Sequence, residues 1–465
     1  MSGHFFRGHT AIALSVACAL ALPLAAQAQS GTHEQQLEQR VSQLEQQLHE
    51  LQQMVQAQAA KSATTAPAPS VASQPAAATS ATPAAPPVFT SAPGVSVALH
   101  GFVSATAFSQ NKTFAFGNGQ NAEWPVAGSN GSLSGVDVRN TRFWLDFKGA
   151  KFAGDWVGGG RIEMDFFGGF NGTGAYSQQQ ATPRLRQGYM DLTNPTTGTT
   201  VRIGQQWELM FPIDNSTTSL SHIAFPLGFA AGMIGWRFPG IVVMQDLNHG
   251  SSGAKWRLDL GAFEGAWAGP GNNVNFLTAG NAGFQPQLEA RLHVQDKDWL
   301  AYFAAHYSKV DLRGVEGNTP TPIQSSVKSI GYEVGGQWKP GPWTFKGAAY
   351  GGKGLGEIFG AMAQFGDISE SGGYVQVGYN FTPHWSAYAF YAAARPDKQD
   401  VITWRGHGSS GLLRNDQSAL SLQYAAGAYA FSMEWMHDKL NSTTDGVTSK
   451  TSSGNQMSLN AIYHF

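Results

Sequence analysis

QMSLNAIYHF, residues 456–465, alternates between two kinds of side chain along almost its whole length. One set is apolar or aromatic: Met457, Leu459, Ala461, Tyr463 and Phe465. The polar side chains between them are Gln456, Ser458, Asn460 and His464. Because successive side chains of a β-strand point to opposite faces, this period of two predicts a strand with one apolar and one polar face.

The same alternation recurs between Val95 and Phe465, most clearly in residues 142–148, 161–166, 288–295 and 332–339. Only 13% of the 465 residues are charged, whereas 12% are aromatic and 56 residues are glycine. In a transmembrane barrel one face of every strand meets lipid and the other meets water. The alternation and the composition both favour that architecture.

The segments between the predicted strands alternate in length. Seven are short: Gly149–Gly154, Asn194–Thr199, Asn248–Gly253, Asp296–Asp298, Pro340–Pro342, Thr382–His384 and Ala426–Ala428. Eight are long, and all but the third are polar: Ser109–Val138, Gly168–Pro183, Leu209–Gly232, Gly265–Gly283, Lys309–Val327, Gly351–Ser371, Arg395–Asn415 and Lys439–Ser453. Outer-membrane barrels have short periplasmic turns and long extracellular loops. The order therefore predicts an all-β fold, a transmembrane antiparallel β-barrel of about 16 strands over residues 95–465, with outer-membrane lipid around it and both barrel ends on the periplasmic side.

The N-terminal residues predict export from the cytoplasm. A short basic start precedes an apolar run at residues 11–24, and Ala26-Gln27-Ala28 is a small-x-small cleavage site. Residues 1–28 are therefore predicted to be a signal peptide, with the mature chain starting at Gln29. The apolar run is too short for a membrane-spanning helix, and the single cysteine, Cys18, lies within it.

Residues 33–60 predict a coiled-coil oligomerisation helix in the periplasm, followed by a linker at residues 61–94. Two series recur every seven residues: Leu37, Leu44 and Leu51, and Val41, Leu48 and Val55. This seam favours self-association over the alternative of a lone surface helix, which would be marginal in water. The linker is rich in Ala, Pro, Ser and Thr and is predicted to be a disordered, semi-extended spacer or tether.

Tryptophan and tyrosine cluster at the predicted strand ends: Trp156, Trp299, Trp338, Trp343, Tyr379, Trp385 and Tyr463. Amphipathic rings favour both membrane–water interfaces. We interpret these residues as an aromatic girdle, against the alternative of ordinary core aromatics, because the pattern leaves no second layer to form a core. The final strand also ends in Phe465, as does the assembly signal of outer-membrane barrels.

The candidate pore-lining residues are arginines of the first six strands and of the third long loop. They are Arg139, Arg142, Arg161, Arg184, Arg186, Arg202 and Arg237. An arginine wall facing water would attract carboxylates or phosphates. Equally, these arginines could pair with Asp146, Glu163, Asp165 and Asp191 and stiffen the wall, and both interpretations can hold at once.

The third long loop, Leu209–Gly232, is mostly apolar and should not extend into solvent. It is predicted to fold into the barrel and narrow the channel, with Asp214 facing the arginine wall. The alternative is that it packs against a neighbouring protomer.

Three segments resemble the DcaP-like trimeric porins. RLRQGYMDL (184–192) and VRIGQQW (201–207) are similar to the fourth and fifth strands of that family, and GWRFPGI (235–241) is a looser match. The resemblance implies a homotrimer that passes small anionic solutes such as dicarboxylates. The chain departs from the pattern at Pro239-Gly240 and in a constriction loop richer in Phe and Gly.

A passive porin is the function that these features favour. A sugar-selective porin would instead use Trp144, Trp207 and Trp236 to stack sugar rings, and a plugged barrel would act as an adhesin or envelope tether. An outer-membrane enzyme is disfavoured: His222 lies near Ser219 and Ser221, but no G-x-S-x-G motif is present, so no catalytic residue is assigned. The 13 scattered histidines predict no metal site and no cofactor, and a net charge of −2 predicts no nucleic-acid partner.

Overall fold

The computed structural model describes residues 88–465, except 93, 118, 171–173, 175, 266–284, 312–323, 325 and 406–410. The predicted signal peptide, the coiled coil and residues 61–87 of the linker lie outside the described residues. The end of the segment assigned to the linker differs from the prediction, because Val88–Ala92 form a strand that pairs with Val95–Ala98.

Eighteen strands are present in the described residues, and all their pairings are antiparallel. They are β1 (Val88–Ala92), β2 (Val95–Gln110), β3 (Leu133–Asp137), β4 (Arg142–Lys151), β5 (Val157–Asp165), β6 (Arg184–Asn194), β7 (Thr199–Trp207), β8 (Arg237–Asp246), β9 (Lys255–Phe263), β10 (Gln287–Asp296), β11 (Trp299–Asp311), β12 (Ser326–Trp338), β13 (Trp343–Lys353), β14 (Ser369–Asn380), β15 (Trp385–Pro396), β16 (Gly411–Ala426), β17 (Tyr429–Thr443) and β18 (Lys450–His464).

The strands close into a barrel because β18 pairs with β2, for example through Ala461 and Ala105. Strand β2 also pairs with β3 through its second half and with β4 through its first half, so β3 and β4 together occupy one position around the barrel. Strand β1 pairs only with the start of β2. The circumference therefore contains sixteen strands, as predicted.

The predicted alternation of short and long connections is confirmed except at the last loop, because β17 extends to Thr443 and β18 already begins at Lys450. Strand β10 ends at Asp296 and β11 begins at Trp299, whereas residues 208–236 separate β7 from β8. The long connections used below are L1 (residues 111–132), L3 (residues 208–236) and L6 (residues 354–368). One α-helix, α1 (Lys398–Arg405), follows β15. None of the helices in the described ranges is long and apolar enough to cross a membrane.

The alternating side chains separate the two faces of the barrel wall. On β18, Leu459 is 59% exposed on the outer face, whereas Asn460 is 4% exposed. Aromatic residues at the short-turn ends of the strands pair across the outer face: Trp299 with Trp338, Trp343 with Tyr379, Trp385 with Tyr424 and Tyr429 with Tyr463. These pairs lie where the predicted girdle places them, on one rim of the barrel.

The lumen contains a hydrophobic core, which corrects the expectation that no second layer is present. Residues of L3 and L6, including Met210, Phe229, Leu355 and Ile358, pack inside the barrel. They contact inward-facing aromatic side chains of the wall, namely Tyr302, Tyr350, Tyr374 and Phe390. The second layer comes from loops, and strand periodicity carries no information about loops.

Candidate functional site

Six of the seven predicted arginines lie on consecutive strands and form one wall of the lumen, here called the arginine wall. They are Arg142 on β4, Arg161 on β5, Arg184 and Arg186 on β6, Arg202 on β7 and Arg237 on β8. Arg139 precedes β4 and pairs with Asp137 at 2.7 Å. It also lies 4.6 Å from the ring of Phe167, which Arg184 contacts as well, and 5.0 Å from that of Phe170, so it adjoins the wall at Arg184.

A β-bulge on β6 brings Arg186 into this wall. The register shifts between Glu163 and Met164 of β5, whose partners are Gln187 and Leu185. Because the extra residue breaks the alternation, Arg186 and Gln187 both reach Glu163, with hydrogen bonds of 2.6 and 2.8 Å. The side-chain amide of Gln205 donates to the carbonyl oxygens of Leu185 and Arg186.

Four of the arginines are held by bidentate or paired contacts to carboxylates. Arg161 donates to Asp146 at 2.7 Å, and Arg202 donates to Asp191 at the same distance. Asp165, which is fully buried, accepts hydrogen bonds of 2.7 Å from both Arg184 and Arg186. Together with the Arg186–Glu163 hydrogen bond, these contacts include all four carboxylates that were predicted to pair with the arginines.

Arg142 and Arg237 differ from the other four, because both have buried donors without a hydrogen-bond partner in the described residues. These donors are Nε and Nη2 of Arg142, and Nε and Nη1 of Arg237. The nearest carboxylate to Arg142 is that of Glu163, at 3.8 Å. Arg237 lies between two indoles, 4.8 Å from the Trp207 ring and 4.4 Å from the Trp236 ring.

The arginine wall carries an excess of positive charge. Its six arginines face four carboxylates, Asp146, Glu163, Asp165 and Asp191, which leaves 6 − 4 = 2 positive charges. A fixed charge on a low-dielectric wall concentrates counter-ions near it. The excess resides on the two arginines whose donors are free.

A cavity of about 540 Å³ lies at the short-turn end of this wall. The Arg161–Asp146 pair, Tyr189, Asp191 and Thr193 contribute to its lining. Arg202 stacks on Tyr189, with the guanidinium carbon 3.8 Å from the ring centroid.

L3 folds into the barrel and reaches the wall opposite the arginines, as predicted. Glu434 of β17 accepts a hydrogen bond of 2.7 Å from the Ser219 hydroxyl and contacts Nδ1 of His222 at 2.7 Å. The amide side chain of Gln376 on β14 bonds the backbone N–H and C=O of Thr218.

The middle of L3 also contacts the segment between β3 and β4. The Asn140 side chain donates to the carbonyl oxygen of Ser221 at 2.8 Å and accepts the Ala224 N–H at 3.1 Å. Further along, Gly232 has a φ of +145°, and a Cβ at this position would strike the carbonyl oxygen of Gly373 on β14. The glycine content of L3 thus permits the loop backbone to touch the barrel wall.

The structure places Asp214 differently from the prediction. Its ion-pair partner among the described residues is His293 on β10, at 3.9 Å, and its side chain is 48% exposed. The negative charge of Asp214 also interacts with the guanidinium of Arg257 on β9. Asp214 therefore lies beside β9 and β10 and makes no ion pair with the arginine wall in the described part of the chain. Its position follows from the entry path of L3, which begins along β10.

Acidic side chains of the opposite wall belong to strands, whereas Asp214 of L3 lies beside β9 and β10. Buried acidic residues occupy inward positions of β10, β12, β14 and β17: Glu289, Glu333, Glu370, Glu434 and Asp438. Glu289 and Glu333 are among the polar residues of their alternating segments, which predicts that both side chains face inward. The sequence does not show that L3 and L6 cover them.

The three tryptophans of the sugar-stacking alternative do not form one continuous surface. Trp207 stacks on Phe211 with ring centroids 3.7 Å apart, and Trp236 packs against Phe229 and Phe359. Trp144 lies apart from them and stacks on His100. The Ser219 hydroxyl donates to Glu434, and Nδ1 of His222 contacts the same carboxylate.

Three solved channels share this barrel fold. The DcaP outer-membrane channel of Acinetobacter baumannii is 18% identical, with a TM-score of 0.60 over 81% of this chain and 99% of that one. The anion-selective porin of Comamonas acidovorans is 15% identical, with a TM-score of 0.51 over 80% and 100% of the two chains. Salmonella typhi OmpF, solved with daunomycin, is 12% identical, with a TM-score of 0.50 over 80% and 98%.

The fold is therefore that of the outer-membrane porin channels. The similarity to the DcaP channel confirms, at the level of the fold, the resemblance expected from the strand motifs. No protein-family model matches the sequence, and no curated protein sequence matches it.

Proposed function

We propose that this protein is an outer-membrane porin that gives passive diffusion to small hydrophilic solutes and prefers small anions such as dicarboxylates. The observation that carries the proposal is the pair Arg142 and Arg237, whose buried guanidinium donors have no partner in the described residues. Unsatisfied buried donors are costly, and a solute carboxylate passing the wall would satisfy them. The DcaP outer-membrane channel and the anion-selective porin of Comamonas acidovorans share the fold.

The chemistry of the wall favours carboxylates over simple anions. A guanidinium presents parallel N–H donors that match the two oxygens of a carboxylate. A dicarboxylate could engage Arg142 and Arg237 in turn while the paired arginines keep the wall in place. Its water-filled approach would be the cavity beside Arg161 and Tyr189.

Self-association as a homotrimer and a periplasmic position of the coiled coil belong to the same proposal. The heptads of residues 33–60 support the first. The common position of both barrel ends on the short-turn side supports the second, because the predicted coil and linker precede β1.

A plugged barrel that acts as an adhesin or tether is the second candidate, and one observation favours it. L3 and L6 place an apolar core inside the lumen, with Met210, Phe229, Leu355 and Ile358 almost completely buried. An occluded lumen would carry no steady current.

Single-channel recording in a planar bilayer under a salt gradient tests the proposal. We expect closure in three steps and a reversal potential that indicates anion preference. Arg142→Gln and Arg237→Gln should each shift the reversal potential toward cations and weaken current block by succinate by about tenfold, the loss expected for one charge-assisted contact.

Arg395→Gln is the matched control. It removes the same charge from the outer face, where Arg395 is 47% exposed and pairs with Asp416. An unchanged reversal potential in both lumen variants would remove the arginine wall from the mechanism. A silent channel formed by folded protein would favour the plugged barrel.

A further inference from the structure

Three potential metal ligands from separate elements converge at the root of L3. Glu208 follows β7 directly, Glu289 lies on β10 and His306 lies on β11. Each offers one ligand atom, and these three atoms lie within 4.8 Å of one another. The three side chains are 1%, 5% and 3% exposed. We call this group the Glu208 cluster.

One oxygen of the cluster is free. Oε1 of Glu208 is buried and has no hydrogen-bond partner in the described residues. The other oxygen, Oε2, accepts a long bond of 3.3 Å from Gln287. A buried carboxylate oxygen without a donor is unusual, because desolvation is then uncompensated. This atom needs a proton or a cation.

Both ring nitrogens of His306 face oxygen atoms, so an ion at Nδ1 would take the place of the hydrogen bond to Glu289 while Nε2 kept its bond to Ser329. Nδ1 of His306 lies 2.8 Å from Oε1 of Glu289. Its Nε2 lies 2.9 Å from the Ser329 hydroxyl and 3.6 Å from Oε1 of Glu357. Metal-ligating histidines usually use one ring nitrogen for the ion and donate the other N–H to an oxygen acceptor.

The charges of the surroundings are unbalanced. Glu208, Glu289 and Glu357 contribute up to three negative charges, and His306 contributes at most one positive charge, so −3 + 1 = −2. Among the described residues, His306 is the sole ion-pair partner of Glu289 and Glu357. A divalent cation would neutralise this excess, whereas protons would have to be shared between buried carboxyls.

We propose that the Glu208 cluster binds one divalent transition-metal ion, with Zn²⁺ as the representative ion. Two carboxylate oxygens and one imidazole nitrogen form a borderline-hard donor set that suits Zn²⁺ or Mn²⁺ better than the all-oxygen shell of Ca²⁺. Gln287, Ser329 and Glu357 orient the ligands. The sequence did not reveal this site because its ligands come from three separate elements rather than from one short motif.

The ion would fasten L3 and L6 to the barrel wall. Glu208 begins L3, and the backbone N–H of the next residue, Leu209, already bonds Oε2 of Glu289 at 2.5 Å. Glu357 lies in L6 and accepts the Ser308 hydroxyl at 2.5 Å. A bound ion at this point joins the two loops that form the luminal core to β10 and β11.

Zinc content of the purified full-length protein tests the proposal. Bound metal is first removed with EDTA. The protein is then loaded with Zn²⁺ and desalted, and its zinc content is measured by inductively coupled plasma mass spectrometry. We expect about one tightly held ion per chain. Glu208→Gln and His306→Gln should lose it, whereas Glu370→Gln should retain it. Glu370 is the matched control, because it is equally a buried wall carboxylate with a free oxygen but has no histidine beside it.

Loading the wild-type protein with Co²⁺ gives a readout that does not depend on any variant folding. Visible absorption bands of a low-coordinate cobalt ion, displaced by Zn²⁺, would support the site. Zinc retained equally by all variants, or absent from the wild-type protein together with a missing cobalt spectrum, would overturn the proposal and leave a shared proton in the cluster. Neither result depends on channel conductance.

Discussion

At the scale of single residues, Glu163 and Asp165 organise the arginine wall. Between them they accept short hydrogen bonds from Arg184, Arg186 and Gln187. Removing one partner of a buried ion pair costs about 3–5 kcal/mol, because the remaining charge stays desolvated. These two carboxylates therefore fix the wall, whereas Arg142 and Arg237 keep buried donors without a partner in the described residues.

Glu123 of L1 makes a pH-dependent contribution to stability. Burial and, to a smaller extent, the charge of Asp438 raise the pKa of Glu123 well above its usual range. A carboxyl whose pKa is higher in the folded state stabilises the fold below its unfolded pKa, and this contribution is lost as the pH rises through the folded pKa. We expect the urea midpoint of the wild-type barrel to fall at alkaline pH, and Glu123→Gln to reduce that fall.

The matched control for this measurement is Glu264→Gln, which removes a carboxyl outside the L1–β17 contact. Unfolding curves between pH 5 and pH 10 for the three proteins give the comparison. Parallel curves for the wild-type protein and Glu123→Gln would mean that the pKa of Glu123 is the same in the folded and unfolded states.

At the scale of elements, L3 is the loop that narrows the lumen, which would otherwise be an open channel. Its apolar residues pack inside the barrel, and its polar residues bond the walls on both sides. The contact between Glu434 and the pair Ser219 and His222 lies near the middle of the loop. A loop held at its centre cannot swing as one body.

Releasing that central anchor should widen the channel. Glu434→Ala removes two hydrogen bonds to a charged group, a loss of about 3 kcal/mol of unfolding free energy. We expect larger single-channel conductance and more current noise, because L3 can then leave the lumen. Were the wild-type channel silent, the variant should open it.

Asp416→Ala serves as the comparison variant, since it removes a carboxylate from the outer face, where Asp416 pairs with Arg395 and Arg414. Identical conductance of Glu434→Ala and Asp416→Ala would show that Glu434 does not hold L3 in place.

At the scale of the whole molecule, stability depends on the closing seam between β2 and β18. Gly101 exchanges two backbone hydrogen bonds with Phe465, of 3.0 and 3.1 Å. A Cβ at Gly101 would meet the Phe465 ring and the carbonyl oxygen of Arg142. The seam is therefore tight at the short-turn rim.

Gly101→Val should open this seam. Overpacking of a close contact costs about 1–3 kcal/mol, so we expect the variant to lose its heat-resistant compact form on gels at a lower temperature. Ala105→Val adds a similar volume at an exposed position of the same strand and should leave that temperature unchanged. Equal temperatures for both variants would contradict the tight seam.

Individual residues show which features of the structure could be predicted from the sequence. The alternation around Ile162 and Glu163 predicted correctly which side chain faces lipid and which faces the lumen, since that choice depends only on the period of a strand. The pairing of Arg161 with Asp146 was also within reach, because both lie on the polar faces of neighbouring strands. Asp214 was placed against the wrong wall, because a loop residue has no such phase.

The sequence by itself determined the barrel, its sixteen-strand circumference, its girdle and the inward position of Arg142, Arg161 and Arg202, because strand alternation and the short–long order of connections repeat along the chain. Only the tertiary structure decided that a bulge turns Arg186 inward, which arginines keep donors without a partner in the described residues, where L3 and L6 lie, and that Glu208, Glu289 and His306 meet. These features depend on closure of the barrel and on the path of irregular loops through its lumen. Both bring together residues that are distant in sequence, and no local period records such contacts.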